Sequence, residues 1–327
     1  MKQSIRSNRF RGFVAGVLLS AVATTGAAQQ PAPFDGEAFR KAQAEFNKVP
    51  STPGDGPYPA MIETDPTLPD HVIYRPADLS PFAGGRLPIV IWGNGACVDD
   101  GTAHRLHLAE IASYGYLVVA VGQWRSGPGA TAPAAPQAAN PGGGLPPPAT
   151  TAKDVLAGLD WALAQDARKG SKYRGKIARK RVAVAGHSCG GLQAIELAAD
   201  PRIKTVIVNN SGVFKGGKSP IPGISADKRL LDRFHTPVIY ILGGPTDIAY
   251  ENGTDDFARL KVPAVMVNLP VGHGGTFSEP MGGAVAHVAV DWLDWQLKGD
   301  KTAAHTFIGA NCRLCAGTKW SIERKGL

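Results

Sequence analysis

Beyond its N-terminal segment, the chain has no apolar run approaching the ~20 residues that a helix needs to cross a bilayer. It has no internal repeat. Its Lys and Arg residues are scattered, except for Lys176–Arg181. One short basic cluster is a poor basis for nucleic-acid binding and reads as a solvated loop. The chain also lacks the composition of a disordered or fibrous protein: 43% of its 327 residues are hydrophobic and 19% are charged. That balance suits one large globular domain, since α/β folds often exceed 200 residues without dividing.

What is present begins with a targeting signature. Lys2, Arg6, Arg9 and Arg11, with no acid among them, account for half of the formal net charge of +8. An apolar run, Phe13 to Ala23, follows and falls short of a membrane span. Gly26, Ala27 and Ala28 then offer small residues for a signal peptidase. The expected organisation is a signal peptide over 1–28, an N-terminal arm over 29–70 carrying an amphipathic stretch (Phe34, Phe39, Ala42, Phe46), and a catalytic domain over 71–327. Export to the periplasm or beyond the cell follows, with no stable membrane insertion after cleavage.

From His71 onward, apolar strands alternate with helical patterns. Strands are expected at His71–Arg75, Leu87–Trp92, Leu117–Val121, Arg181–Ala185, Val206–Asn209, Pro237–Leu242 and Ala264–Leu269. Helices are expected at His104–Ser113, Asp154–Ala164, Gly191–Ala199, Asp255–Leu260 and Ala284–Leu297. This alternation implies an α/β fold, with a mostly parallel sheet covered on both faces and ligands at the carboxyl ends of its strands. Ser126–Thr150, almost all Gly, Pro and Ala, reads as a mobile surface loop. Val213–His235 is a second long connection.

Gly186-His187-Ser188-Cys189-Gly190 has the form Gly-x-Ser-x-Gly, a weak signal alone. Its setting strengthens it, because the strand Arg181–Ala185 enters the motif and Gly190–Ile195 opens a helix after it. A sharp strand-to-helix turn forces the serine Oγ outward, and glycines on either side remove side chains that would collide across the turn. A serine hydroxyl needs a base. In this arrangement the acid and then the histidine follow the serine, each beyond a later strand. Asp247 follows Pro237–Leu242, and His273 follows Ala264–Leu269 in a glycine-rich loop. Asp255 and Asp256 are rival acids but fall in the next helix.

The backbone N–H of Cys189 and that of Asn94, with Gly95 as the alternative, are the expected oxyanion donors, because the loop after Leu87–Trp92 reads Gly93-Asn94-Gly95. His104-x-x-His107 has no carboxylate or cysteine partner at helical spacing, so no metal is expected.

From about His71 to Gly299 the chain resembles the exported α/β-hydrolases of the dienelactone-hydrolase, chlorophyllase and cutinase-like polyester-hydrolase group. The resemblance rests on the Gly93-Asn94 loop, the Ile111–Val119 block, the Gly186–Gly190 elbow, Gly243–Asp247, Val271–His273 and the Val290–Gly299 segment. It implies the α/β-hydrolase fold, carboxylic-ester hydrolysis on a small-molecule or polymer ester, and no cofactor. The polyester hydrolases carry an aromatic residue where this chain has Asn94; Trp92 and Trp124 are the aromatic residues nearby. The competing classes are a serine peptidase of the same fold and a non-catalytic secreted binding protein.

The oxyanion geometry has a further consequence. Two N–H groups aimed at one oxygen draw the Asn94 and Cys189 backbones together. Cys97 is then near enough for a Cys97–Cys189 disulfide, leaving Cys312 to pair with Cys315. Two buried free thiols at Cys97 and Cys189 are the alternative.

Overall fold

The structure, a computed structural model, describes residues 36–133, 147–217, 219, 221 and 223–327. The expected signal peptide and the middle of the Ser126–Thr150 connection lie outside these residues. The chain divides into a unit ending at Lys41, whose described residues begin helix α1 (Gly36–Lys48), and a unit Ala42–Leu327 that holds every other element.

Among the described residues of that larger unit, nine strands build one sheet: β1 (Ala60–Asp65), β2 (Leu68–Pro76), β3 (Leu87–Gly93), β4 (Leu117–Val121), β5 (Ile177–His187), β6 (Thr205–Asn209), β7 (Val238–Leu242), β8 (Ala264–Asn268) and β9 (Ser321–Lys325). Their spatial order is β1-β2-β4-β3-β5-β6-β7-β8-β9. The six strands from β4 to β8 run parallel; β1, β2 and β9 pair antiparallel at the two margins.

The central strands are mostly apolar because both faces of the sheet are covered. The exposed exception is Arg179–Arg181, in the first half of β5, where the basic cluster expected in a loop is part of a strand. Along β3, Leu87, Ile89 and Ile91 enter one core, while Val90 and Trp92 enter the other. The first core is closed by α3 (Ala152–Ala167), α4 (Cys189–Leu197) and α5 (Tyr250–Arg259), through side chains such as Leu159, Ile195 and Phe257. The second is closed by α2 (Arg105–Ser113) and α6 (Gly283–Leu293), through Leu108, Ile111, Val285 and Trp292. Each such side chain, fully buried, contributes about 1.5–3 kcal/mol. Helix α3 starts earlier than its apolar pattern indicates, because Thr151 and Asp154 form a reciprocal capping box.

The margins depart from expectation. Residues 60–65, expected within the N-terminal arm, form the edge strand β1. Residues 321–325, for which no element is expected, form β9 against β8, pairing Val265 with Arg324 and Val267 with Ile322. Both are partly exposed edge strands with little apolar alternation, and the Glu323, Arg324 and Lys325 side chains on β9 discourage further strand addition. The long Val213–His235 connection contains a short 3-10 stretch, Lys228–Arg233. Among the described residues, no helix is long and apolar enough to cross a membrane.

Candidate active site

Ser188 stands between β5 and α4 with φ 53° and ψ −118°, a positive-φ conformation that side chains rarely adopt. The surrounding contacts impose it. The Ser188 N–H donates to the Asn209 carbonyl at 2.9 Å, and the Ser188 carbonyl accepts the Ser211 hydroxyl at 2.6 Å. The flanking glycines are steric requirements: a Cβ on Gly186 would lie 2.2 Å from the Gly190 carbonyl oxygen, and one on Gly190 would lie 2.1 Å from that of Gly93. The elbow therefore packs directly on the end of β3.

The loops after β7 and β8 bring Asp247 and His273 to this turn. The Ser188 Oγ lies 2.9 Å from His273 Nε2, and His273 Nδ1 lies 2.6 Å from Asp247 Oδ1. Ser188 is half-buried, the His273 side chain is 28% exposed, and that of Asp247 is 0% exposed, so the chain of bonds runs from solvent into the protein.

Asp247 is held on both oxygens. Oδ1 also accepts the Ala249 N–H at 2.9 Å; Oδ2 accepts the Gly243 N–H at 2.9 Å and the Asn210 side-chain amide at 2.8 Å. Burial pushes this carboxyl up, but the bonds from His273, Ala249 and Gly243 outweigh it and hold the group at about 2. The rival acids lie elsewhere. Asp255 pairs with Lys228 and Arg259, while Asp256 binds Lys228, the Val213 N–H and the Tyr240 hydroxyl.

The loop after β3 turns through Ala96 (φ 50°) and Cys97 (φ 48°) and is tied to the elbow by a Cys97–Cys189 disulfide, with Cα atoms 5.3 Å apart. Cys312 and Cys315 form the second disulfide. The buried Asn94 side chain accepts from Trp92 Nε1 at 3.0 Å and donates to the Val121 carbonyl at 2.7 Å, joining the ends of β3 and β4. Among the described residues, the backbone N–H groups of Asn94, Gly95 and Cys189 have no acceptor. The Cys97 carbonyl receives the Ala149 and Thr150 N–H groups, which anchors the returning end of the long Gly/Pro-rich connection beside the elbow. Trp92 is fully buried against His104, His107 and Phe277 and is core; Trp124 is partly buried.

Two positioning groups escaped the sequence reading. Asn210, at φ 44° just beyond β6, bridges Asp247 and the Gly272 carbonyl. The only local sign of it is the polar run Asn209-Asn210-Ser211 after an apolar strand. His187, noted only as part of the elbow, donates from Nε2 to the His273 carbonyl at 3.0 Å, leaving Nδ1 to accept from His104 Nε2 at 3.2 Å. Burial and the neighbouring His273 hold His187 at about 4; burial likewise holds His107 at about 3 and His104 well below the usual range. These rings are therefore neutral near pH 7.

A cavity of about 360 Å³ bordered by Asp70, His71, Asp99, Thr150 and Asp154 includes none of Ser188, Asp247 and His273. Among known proteins, no family model matches this chain and no curated protein matches it significantly.

Proposed function

We propose that the protein is an exported serine carboxylester hydrolase of the α/β-hydrolase fold. The observation that carries this reading is the continuous hydrogen-bonded chain Ser188–His273–Asp247, with Ser188 held at positive φ between a strand and a helix. Among the described residues, the unoccupied N–H groups of Asn94 and Cys189 support the same reading.

In the proposed reaction, His273 Nε2 takes the Ser188 hydroxyl proton as Oγ attacks the ester carbonyl carbon. The carbonyl oxygen becomes negative and accepts hydrogen bonds from Asn94 and Cys189; one such donor typically contributes ~3 kcal/mol. The tetrahedral species collapses, the C–O bond to the alcohol breaks, and His273 returns the proton to the leaving oxygen. Water then attacks the acyl-serine by the same proton path and releases the acid. Asp247 holds the Nδ1–H tautomer and offsets the imidazolium charge. Ile248, 76% exposed, directly follows Asp247, and Val271, 43% exposed, lies two residues before His273, so the loops that carry the acid and the base each bear an exposed apolar side chain.

A panel of esters of differing acyl length and aromatic character, run beside Ser188→Ala, tests the reading. Expected are ester turnover, a fluorophosphonate adduct on Ser188, and a loss of several orders of magnitude in the variant. Equal turnover by Ser188→Ala, or no turnover of any ester, overturns it.

A further inference from the structure

Where α2 meets α6 and the segment before β1, three side chains distant in sequence converge. Glu110 comes from α2, His287 from α6 and Asp55 from the segment that precedes β1. One donor atom from each lies within 4.8 Å of both of the others. Glu110 is fully buried while Asp55 and His287 are exposed, so the group forms a cup with a carboxylate at its base.

The base of the cup is unsatisfied. Glu110 Oε2 accepts the Asp55 N–H at 3.0 Å, but Oε1 is buried and, among the described residues, receives no N–H or O–H donor. His287 Nδ1 faces Oε1 from 3.6 Å. Among the described residues, no Lys or Arg forms an ion pair with Asp55 or Glu110. A buried acceptor without a partner is costly, and a bound cation removes that cost.

The cup is also built rather than incidental. The Tyr114 hydroxyl donates to Asp55 Oδ1 at 3.0 Å, the Gly56 N–H donates to Ser113 Oγ at 3.0 Å, and the Tyr58 N–H donates to the Ser113 carbonyl at 2.9 Å. These bonds dock the Asp55 segment on the last turn of α2.

We propose that Asp55, Glu110 and His287 form a binding site for one zinc-class divalent cation, which staples the segment before β1 to the α2–α6 pair. The donor set decides the class. Two carboxylate oxygens and one imidazole nitrogen suit zinc and its transition-metal neighbours, whereas calcium and magnesium prefer all-oxygen shells of six or more ligands. Zinc bonds of about 2.0–2.2 Å place tetrahedral ligands roughly 3.3–3.6 Å apart. The Glu110–His287 pair is already near that spacing, and the exposed Asp55 and His287 side chains close the remainder. A water completes the shell on the open side. The site lies on residues that the hydrolytic chemistry does not use. It also departs from the sequence expectation of no metal, which weighed only ligands at helical spacing.

The rival occupant is a proton shared between the Asp55 and Glu110 carboxyls. The test is zinc chloride titrated calorimetrically into the chelator-stripped full chain, alongside His287→Gln and Asp55→Asn. Both substitutions are at exposed positions, and circular dichroism verifies their folds. Expected are one zinc per chain, a rise in Tm with zinc, and at least a tenfold loss of affinity in each variant. Absence of stoichiometric binding, or unchanged affinity in both variants, overturns the site. An equal Tm rise with calcium chloride overturns the assigned class of metal.

Discussion

Asn210 donates its side-chain amide to Asp247 at 2.8 Å from the end of β6, a strand that carries none of Ser188, Asp247 and His273. The same amide reaches the Gly272 carbonyl at 3.1 Å, so one side chain sets both the acid and the loop that bears the histidine.

Deleting that amide should slow turnover without weakening substrate binding. Asn210→Gly tolerates the positive φ and removes one bond to a charged group, worth about 1.5–3 kcal/mol. The expected result is a kcat lower by roughly tenfold to a hundredfold with KM little changed. Steady-state kinetics measures both, and an unchanged kcat would falsify the positioning role.

Asp247→Asn should cost about 10⁴ in kcat, since the imidazole loses the acceptor that fixes its tautomer. Asp256→Asn should instead lower Tm, because Asp256 ties Lys228, Val213 and Tyr240 together away from the serine. Comparing kcat and Tm for the two variants separates a chemical role from a structural one.

The two disulfides should contribute unequally. Cys97–Cys189 closes a separation of 92 residues and Cys312–Cys315 one of 3. In the chain-entropy account a loop near the longer length contributes about 4–5 kcal/mol and a very short one far less. Cys97→Ala should therefore lower Tm well beyond Cys312→Ala. It should also lower kcat in the folded state, because the loop holding the Asn94 N–H is no longer tied to the elbow. Calorimetry and ester assays at a temperature where both variants are folded check this.

Acid should destabilise the protein through its buried neutral histidines. His107 is held at about 3, far below an unfolded value near 6.5, so the unfolded chain binds a proton that the folded chain refuses. Its contribution to stability is intact above pH 6.5 and declines as pH falls toward 3. Among the described residues, neither ring nitrogen of His107 has a partner, and the ring packs on Trp92 and Phe277. His107→Leu should therefore change Tm little at pH 8 and add ~2 kcal/mol of stability at pH 5. Denaturant titrations at the two pH values measure the difference, and an equal effect at both would sink the assignment.

Where the signal is local, the amino-acid sequence was enough. Continuous apolar runs between turn residues marked the central strands, since a strand buried on both faces must be apolar throughout. The Gly-x-Ser-x-Gly turn, and the order in which serine, aspartate and histidine follow their strands, singled out Ser188, Asp247 and His273. The expected proximity of the Asn94 and Cys189 backbones left a Cys97–Cys189 disulfide and two buried free thiols both open, and the tertiary structure joins the two sulfurs.

Tertiary structure alone decided the rest, because those features join residues with no shared local pattern. The edge strands β1 and β9 are half-exposed, so hydrophobicity barely marks them, and each exists by pairing with a neighbour. Asn210 matters because the end of β6 lies beside two loops that come later in the chain. His104, at the N-cap of α2, meets His187 of the elbow across 83 residues. Asp55, Glu110 and His287 converge only when the segment before β1 docks on α2 and α6. Periodicity reports which face of an element is buried; only the packed fold decides which side chains meet there.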